Sequence, residues 1–296
     1  MGKGTRNRAQ SARQRIAEQQ AAARRAEKRR QGLLAGGAVA VVLAIVVVFI
    51  VIKVNSGSSG SGSSGGTAGT LLPASVQKNV TTVPDSALKA VGTGSVLPYN
   101  PKPISAISGP SLTAAGKPEM VYIGAEFCPY CAAERWSMAI ALSKFGTLSP
   151  LHGIHSSSTD TDPGTPTLTF YKSTYTSKYL TFTPVENETI SHAPLQNTTS
   201  AQQAIWVKYS PKGTLGYPFI DFGNKYLING PQYDPAILAG LTWAQVAQQM
   251  RDPSSTVAKG VLGSANYITA AMCKITGNAP ASVCSAPAVT AMEGKL

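Results

Sequence analysis

An α/β domain with a central mixed sheet flanked by helices, interrupted by an insertion and preceded by one transmembrane helix, is the architecture this sequence predicts. Three observations carry it. An apolar run, Met120 to Ile123, leads through Cys128-Pro129-Tyr130-Cys131 into a segment of helical periodicity, the strand-then-helix order of an α/β sheet. Further on, Tyr217 to Ile228 holds two short apolar runs separated by Gly-Asn, a compact hairpin signal. Finally, Leu33 to Ile52 is a stretch of twenty residues without a charge, followed by a tract of Gly and Ser.

The N-terminal third sets the address. The 296-residue chain carries a formal charge of +12, and ten basic residues before Leu33, opposed by Glu18 and Glu27, account for +8 of it. With so little positive charge on the remainder, the basic pI gives no support to a nucleic-acid partner. Leu33 to Ile52 is long enough to cross a hydrocarbon core as a helix. A cleaved signal peptide is the competing reading, but Lys53-Val54-Asn55 follows directly where a small-residue cleavage site would stand. The basic arm then orients the span. Residues 1–32 are expected in the cytoplasm, 33–52 in the plasma membrane as a single pass, 53–70 as a flexible linker, and 71–296 as an extracytoplasmic domain. That compartment permits disulfides among the four cysteines.

Within the domain, Pro84 to Val91 reads as a short helix closed by Gly92, and Ile104 to Ile107 as a strand. Glu119 to Ala125 is a buried strand, and Pro129 to Phe145 a helix with proline at its start and Gly146 as its stop. Cys131, Met138, Leu142 and Phe145 share one face at helical spacing, which turns Cys131 inward and Cys128 outward. Thr147 to Gly216 reads as strand plus insertion, with strands at Thr167–Tyr171 and Tyr179–Val185 and a helix at Ser200–Tyr209. Pro218 stands at the start of the first hairpin strand, a place that tolerates proline. Asp234-Pro235 and Thr242-x-x-Gln245 are helix starts, the second a capping box, and a last helix is expected from Ser264 to Thr276.

The chemistry centres on Cys128 and Cys131. Two thiols at this spacing can close on each other, and a helix N-terminus beside the first sulfur favours its thiolate. Cys273 and Cys284 flank a helix stop, so a local bridge would staple the terminal helix to the tail; a second redox pair is the alternative. His152 and His155 together with Cys128 and Cys131 offer a zinc set by residue type, but a whole helix intervenes and the compartment favours disulfides, so no metal is assigned. Glu126 and Glu134 flank the pair and read as solvated carboxylates, with proton transfer as their functional alternative.

Strand, Cys-Pro-Tyr-Cys, helix, Pro-led hairpin and closing helix together resemble the thioredoxin superfamily. Ala125-Glu126-Phe127-Cys128 is similar to the Ala-Glu-aromatic-Cys run of thioredoxins, and Pro129-Tyr130 resembles the pair between the cysteines of glutaredoxins and some periplasmic disulfide isomerase-type proteins. The resemblance implies that Cys128 attacks, Cys131 resolves the mixed disulfide, and Pro218 is a cis-proline that, with Tyr217, guides a substrate backbone. Pro129, Tyr130 and Glu126 would support them. The layout of basic arm, span, tether and domain resembles the family called domain of unknown function 929. Tyr122 stands where thioredoxins keep a buried acid, Tyr217 where Thr, Val or Ile is common, and no Gly-Gly glutathione signature follows the hairpin.

The function expected is therefore a membrane-anchored thiol-disulfide oxidoreductase without a cofactor. It would act on protein thiols and disulfides and exchange electrons with a redox partner in the membrane. The alternative is a non-catalytic thioredoxin-like binding or scaffold module of the cell envelope, with both disulfides, Cys128–Cys131 and Cys273–Cys284, structural.

Overall fold

The computed structural model describes residues 69–211 and 214–296. The basic arm, the apolar span and the linker up to residue 68 lie outside the described residues. No helix among the described residues is long and apolar enough to cross a membrane.

The described chain opens with β1 (Thr70–Leu71), α1 (Ala74–Thr81), α2 (Asp85–Val91), α3 (Val96–Tyr99), β2 (Ser105–Ala106) and β3 (Thr113–Ala114). The cysteine pair lies between β4 (Lys117–Gly124) and the body of α4 (Pro129–Phe145). The region between α4 and the hairpin holds β5 (Gly146–Ser149), β6 (His152–His155), β7 (Pro166–Thr169), β8 (Thr174–Ser177), β9 (Thr181–Glu186) and α5 (Ser200–Tyr209). The chain ends with β10 (Phe219–Phe222), β11 (Tyr226–Asn229), a 3-10 turn at Pro235–Leu238, α6 (Trp243–Gln249), α7 (Thr256–Ile275), α8 (Ala281–Cys284) and α9 (Pro287–Glu293).

The central sheet is mixed. β4 pairs parallel with β9 on one side and antiparallel with β10 on the other, and β11 and β2 extend the sheet beyond β10. β4 is apolar on both faces, as a strand covered from both sides must be: Met120, Val121, Tyr122 and Ile123 are all buried. The β10–β11 hairpin turns on Gly223 (φ 61°) and Asn224 (φ 56°), two consecutive left-handed residues. The register pairs Phe222 with Tyr226, so the loop holds three residues, Gly223 to Lys225, and Gly-Asn accepts its two left-handed positions. Pairs β5–β8 and β6–β7, with β1 on the edge of β6, form two small satellite sheets.

Helix α4 is buried on nearly its whole circumference, so its face pattern is broader than the stripe expected from Cys131, Met138, Leu142 and Phe145. It is enclosed by the sheet, by β7 through the Trp136 Nε1 bond to the Pro166 carbonyl (2.9 Å), and by α7 through Ser137 Oγ donating to the Val261 carbonyl (2.9 Å). Helix α7 begins at the cap residue Ser255, nine residues before the Ser264 start expected from sequence. Gly260 and Gly263 hide this start from propensity, since glycine disfavours helix interiors. Their reason is packing: a Cβ at Gly260 would lie 2.9 Å from the Tyr233 ring, and one at Gly263 would lie 2.6 Å from the Thr93 carbonyl oxygen. The Thr242/Gln245 capping box is formed, and a second one, Thr199/Gln202, opens α5.

Candidate functional site

Cys128 is the N-cap of α4, and Pro129 takes the first helical position. The Cys131 N–H donates to Cys128 Sγ at 3.2 Å, so the sulfur occupies the acceptor place that a serine or aspartate usually fills at a helix start. The pair is held as two free thiols, the reduced form, rather than as the expected Cys128–Cys131 disulfide. The two sulfurs are not equivalent. The hydrogen bond from the Cys131 thiol, backbone N–H groups of the first turn and the charge of Arg135 hold Cys128 below the usual thiol range, against its burial. Burial pushes Cys131 well up, and the neighbouring Cys128 sulfur adds to that. Of the two sulfurs, Cys128 is therefore the one that gives up its proton first, and Cys131 the one that keeps it.

The expectation that Cys128 faces outward is corrected: it is 4% exposed. Phe127, Tyr130 and Tyr217 pack around Ala125, Cys128 and Cys131. Tyr217 is fixed in turn by stacking on Trp206 of α5 (centroids 5.3 Å) and by accepting a hydrogen bond from Asn187 Nδ2 at 3.0 Å. The segment after β9 closes on the other side, with His192 lying against Phe127 at 3.9 Å between ring centroids. Periodicity within α4 cannot report this cover, because much of it comes from residues distant in the chain: Asn187, His192, Trp206 and Tyr217.

The Tyr217–Pro218 peptide is cis, and Pro218 is buried directly before β10. Phe219 pairs with Ile123, so Pro218 enters the sheet beside the end of β4, the same end that leads to Cys128. The topology thus brings Cys128, Cys131, Tyr217 and Pro218 to one corner of the central sheet.

Beneath the pair lies a charged layer absent from the sequence reading. Arg135 and Glu186, both fully buried, form a two-point ion pair: Nε donates to Oε1 at 2.8 Å and Nη2 to Oε2 at 2.6 Å. Arg135 Nη2 also donates to the Ala125 carbonyl at 2.6 Å. Burial works against the guanidinium charge, and the Glu186 carboxylate overrides it, keeping Arg135 ionised. Its carbon centre sits 5.9 Å from the centroid of the Tyr122 ring. The missed signal is an arginine within a largely apolar helix, whose charge needs an acid partner once the helix is buried.

The two carboxylates read as solvated are both buried, at 3% exposure for Glu126 and 0% for Glu134. Glu126 accepts from Thr169 Oγ1 at 2.8 Å, and its backbone N–H donates to the Glu188 carbonyl at 2.9 Å, which tucks the β4–α4 connection under the β9 loop. Burial raises its pKa, partly offset by Thr169. Glu134 lies on α4 facing Gln232 and Ser264: its Oε1 accepts from the Gln232 N–H at 2.6 Å, and Ser264 Oγ stands 3.0 Å from its Oε2. Burial raises Glu134 to about 7 against these two hydrogen bonds.

Among the described residues no three His, Cys, Asp or Glu side chains cluster as metal ligands would. His152 and His155 stand on β6, where His155 packs against Trp243 at 4.9 Å. Cys273 and Cys284 form a disulfide between α7 and α8, as the staple reading expects, and they belong to the main helical core rather than to the Cys128 cluster.

A family model described as domain of unknown function (DUF929) matches residues 103–274, more than half of the chain and including the site. No curated protein and no solved structure matches it.

Proposed function

The chain belongs to the DUF929 family, whose description assigns no activity, and from its site we propose that it is a membrane-anchored, extracytoplasmic thiol-disulfide oxidoreductase on a thioredoxin-like fold. The single observation that carries the reading is the division of labour in the pair. A thiol held below its usual range caps the helix as nucleophile, and a buried second thiol whose proton is held more tightly waits one turn behind it. Cys128 would attack a protein disulfide, or receive attack as a disulfide. Cys131 would then displace the partner, leaving Cys128–Cys131 oxidised and the partner reduced, or the reverse. The cis Pro218 and Tyr217, at the same corner, would receive the substrate backbone. The anchor and the outer location rest on Leu33 to Ile52 and the basic arm before it.

Replacing Cys131 with Ser removes the resolving thiol, so partners should accumulate as mixed disulfides on Cys128, visible on non-reducing gels and absent from a Cys128→Ala, Cys131→Ser chain. If no adduct forms and Cys128 alkylates no faster than an ordinary thiol, the oxidoreductase reading fails. The scaffold reading draws on the cover over Cys128. A reduction potential for Cys128–Cys131 below about −300 mV, the range of structural bridges, would favour it.

A further inference from the structure

Six buried side-chain polar atoms lack a hydrogen-bond partner among the described residues, and two of them, Tyr122 Oη and Arg135 Nη1, belong to residues that surround Cys131. A buried unpaired hydroxyl is costly, and so is a buried guanidinium N–H, unless each meets a partner in another state of the site. Tyr122 is 0% exposed in the middle of β4, and Gly124 makes room for it. A Cβ at Gly124 would lie 2.0 Å from Tyr122 Oη and 3.0 Å from Cys131 Sγ, so the phenol and the sulfur share the space that the missing side chain leaves. Phenol and thiol are close enough to influence each other, and the Arg135 charge acts on both. Burial keeps Tyr122 protonated, which makes it a donor and not a base.

We infer that Tyr122 is a catalytic hydrogen-bond donor to the Cys131 sulfur, and that with Arg135 it stabilises the thiolate Cys131 must become when it resolves a mixed disulfide. The inference rests on the oxidoreductase reading and deepens it. In the resolving step Cys131 gives its proton to solvent base, and its sulfur bonds to Cys128 Sγ. The Cys128–partner bond breaks, and its electron pair leaves on the partner sulfur. Negative charge forms on Cys131 within a dry pocket, where one fixed O–H and one guanidinium are worth more than in water. Both orphaned groups then acquire an acceptor, and no group has to move in from solvent. The titratable groups facing Cys131 are Cys128, Arg135 and Tyr122, with Glu186 behind Arg135 on β9 and Tyr217 on the hairpin side of the cluster.

The test uses the full chain with the Cys273–Cys284 bridge intact and 5,5′-dithiobis(2-nitrobenzoate) as the disulfide. The probe is both substrate and oxidant. Attack by Cys128 releases one coloured thiolate, and attack by Cys131 releases a second, so the two steps are read separately in stopped flow. In Tyr122→Phe the second phase should slow about tenfold at pH 7, and its rate-against-pH midpoint should rise by about one unit, the effect of losing one charge-assisted hydrogen bond. The first phase should hold, because Cys128 attacks the probe before Cys131 takes part. An unchanged second phase in Tyr122→Phe overturns the role of Tyr122 while leaving the oxidoreductase reading intact. A wild-type chain that releases only the first thiolate, as Cys131→Ser should, overturns the oxidoreductase reading itself.

Discussion

Glu134 shows how much a single buried group dictates. Gln232 Nε2 donates to the Pro103 carbonyl at 3.0 Å, which fixes the amide so that its Oε1 faces Ser264 Oγ at 2.7 Å. Ser264 has one hydroxyl proton to offer, and Gln232 Oε1 competes with Glu134 Oε2 for it, which weakens the support Ser264 gives the carboxylate. Burial therefore outweighs the two hydrogen bonds that Glu134 accepts and raises its pKa to about 7 against an ordinary 4.5. The sign for stability follows. The folded pKa is raised, so the contribution is complete below pH 4.5 and falls as pH rises through 7, where the group ionises in the folded protein too. About 3 kcal/mol should be lost across that window. In Glu134→Gln the side-chain amide can donate to Ser264 and its oxygen can accept from Gln232. The variant should therefore melt as the wild type does at pH 4.5, stand above it at pH 8, and show a flat profile between. A variant that tracks the wild-type slope in denaturant titrations would place the titrating group elsewhere. None of this was legible beforehand, because Gln232 and Ser264 are 98 and 130 residues from Glu134 in the chain. Charge at residue scale reads as solvated until the fold supplies its neighbours.

Elements were legible wherever local chemistry sets them. Helices Pro129–Phe145 and Ser200–Tyr209, the Thr242/Gln245 box and the Gly223–Asn224 hairpin each follow from a cap, a stop or a turn that acts within a few residues. What tertiary packing sets was hidden: the first turns of α7 with their two close-packed glycines, and strands β5, β6 and β8, whose partners are other short strands. The Cys273–Cys284 bridge belongs to the first class. Its sequence separation of 11 closes a small loop in the unfolded chain, worth about 3 kcal/mol by chain entropy. It holds α8, and through it α9, which buries Ala288, Val289 and Met292 in the helical core. A Cys273→Ala, Cys284→Ala chain should therefore unfold at lower denaturant by about that amount. Hydrogen exchange should quicken in α9 first, and the first thiolate release from Cys128 should keep its rate. A changed Cys128 rate would instead tie the bridge to the redox pair as a relay.

At the scale of the molecule, composition places the boundary of the folded unit and packing refines it. The end of the Gly/Ser tract puts the start near Leu71, and the structure shows why the first residues past the tract are not a free tail. Thr70 and Leu71 pair with Gly153 and His152 on the edge of β6, and the Leu72 N–H donates to the Leu151 carbonyl at 2.9 Å. Leu72 itself is 1% exposed, and it packs so closely over Gly153 that a Cβ there would lie 2.6 Å from its methyl. Three residues thus cover the β6–β7 sheet next to the helical core that α1 and α6 complete. A piece starting at Gly69 should melt where the full chain does. A piece starting at Ala74 loses the Leu72 side chain, about 2–3 kcal/mol of burial, together with the β1 pairing. Its melting temperature should fall by on the order of 5–10 °C for a domain of this size. Because none of the deleted residues packs in the cysteine cluster, the short piece below its own transition should still release the first thiolate at the wild-type rate. Equal melting of the two pieces would show that β1 rests on the fold without stabilising it, and would move the true start of the folded unit to α1.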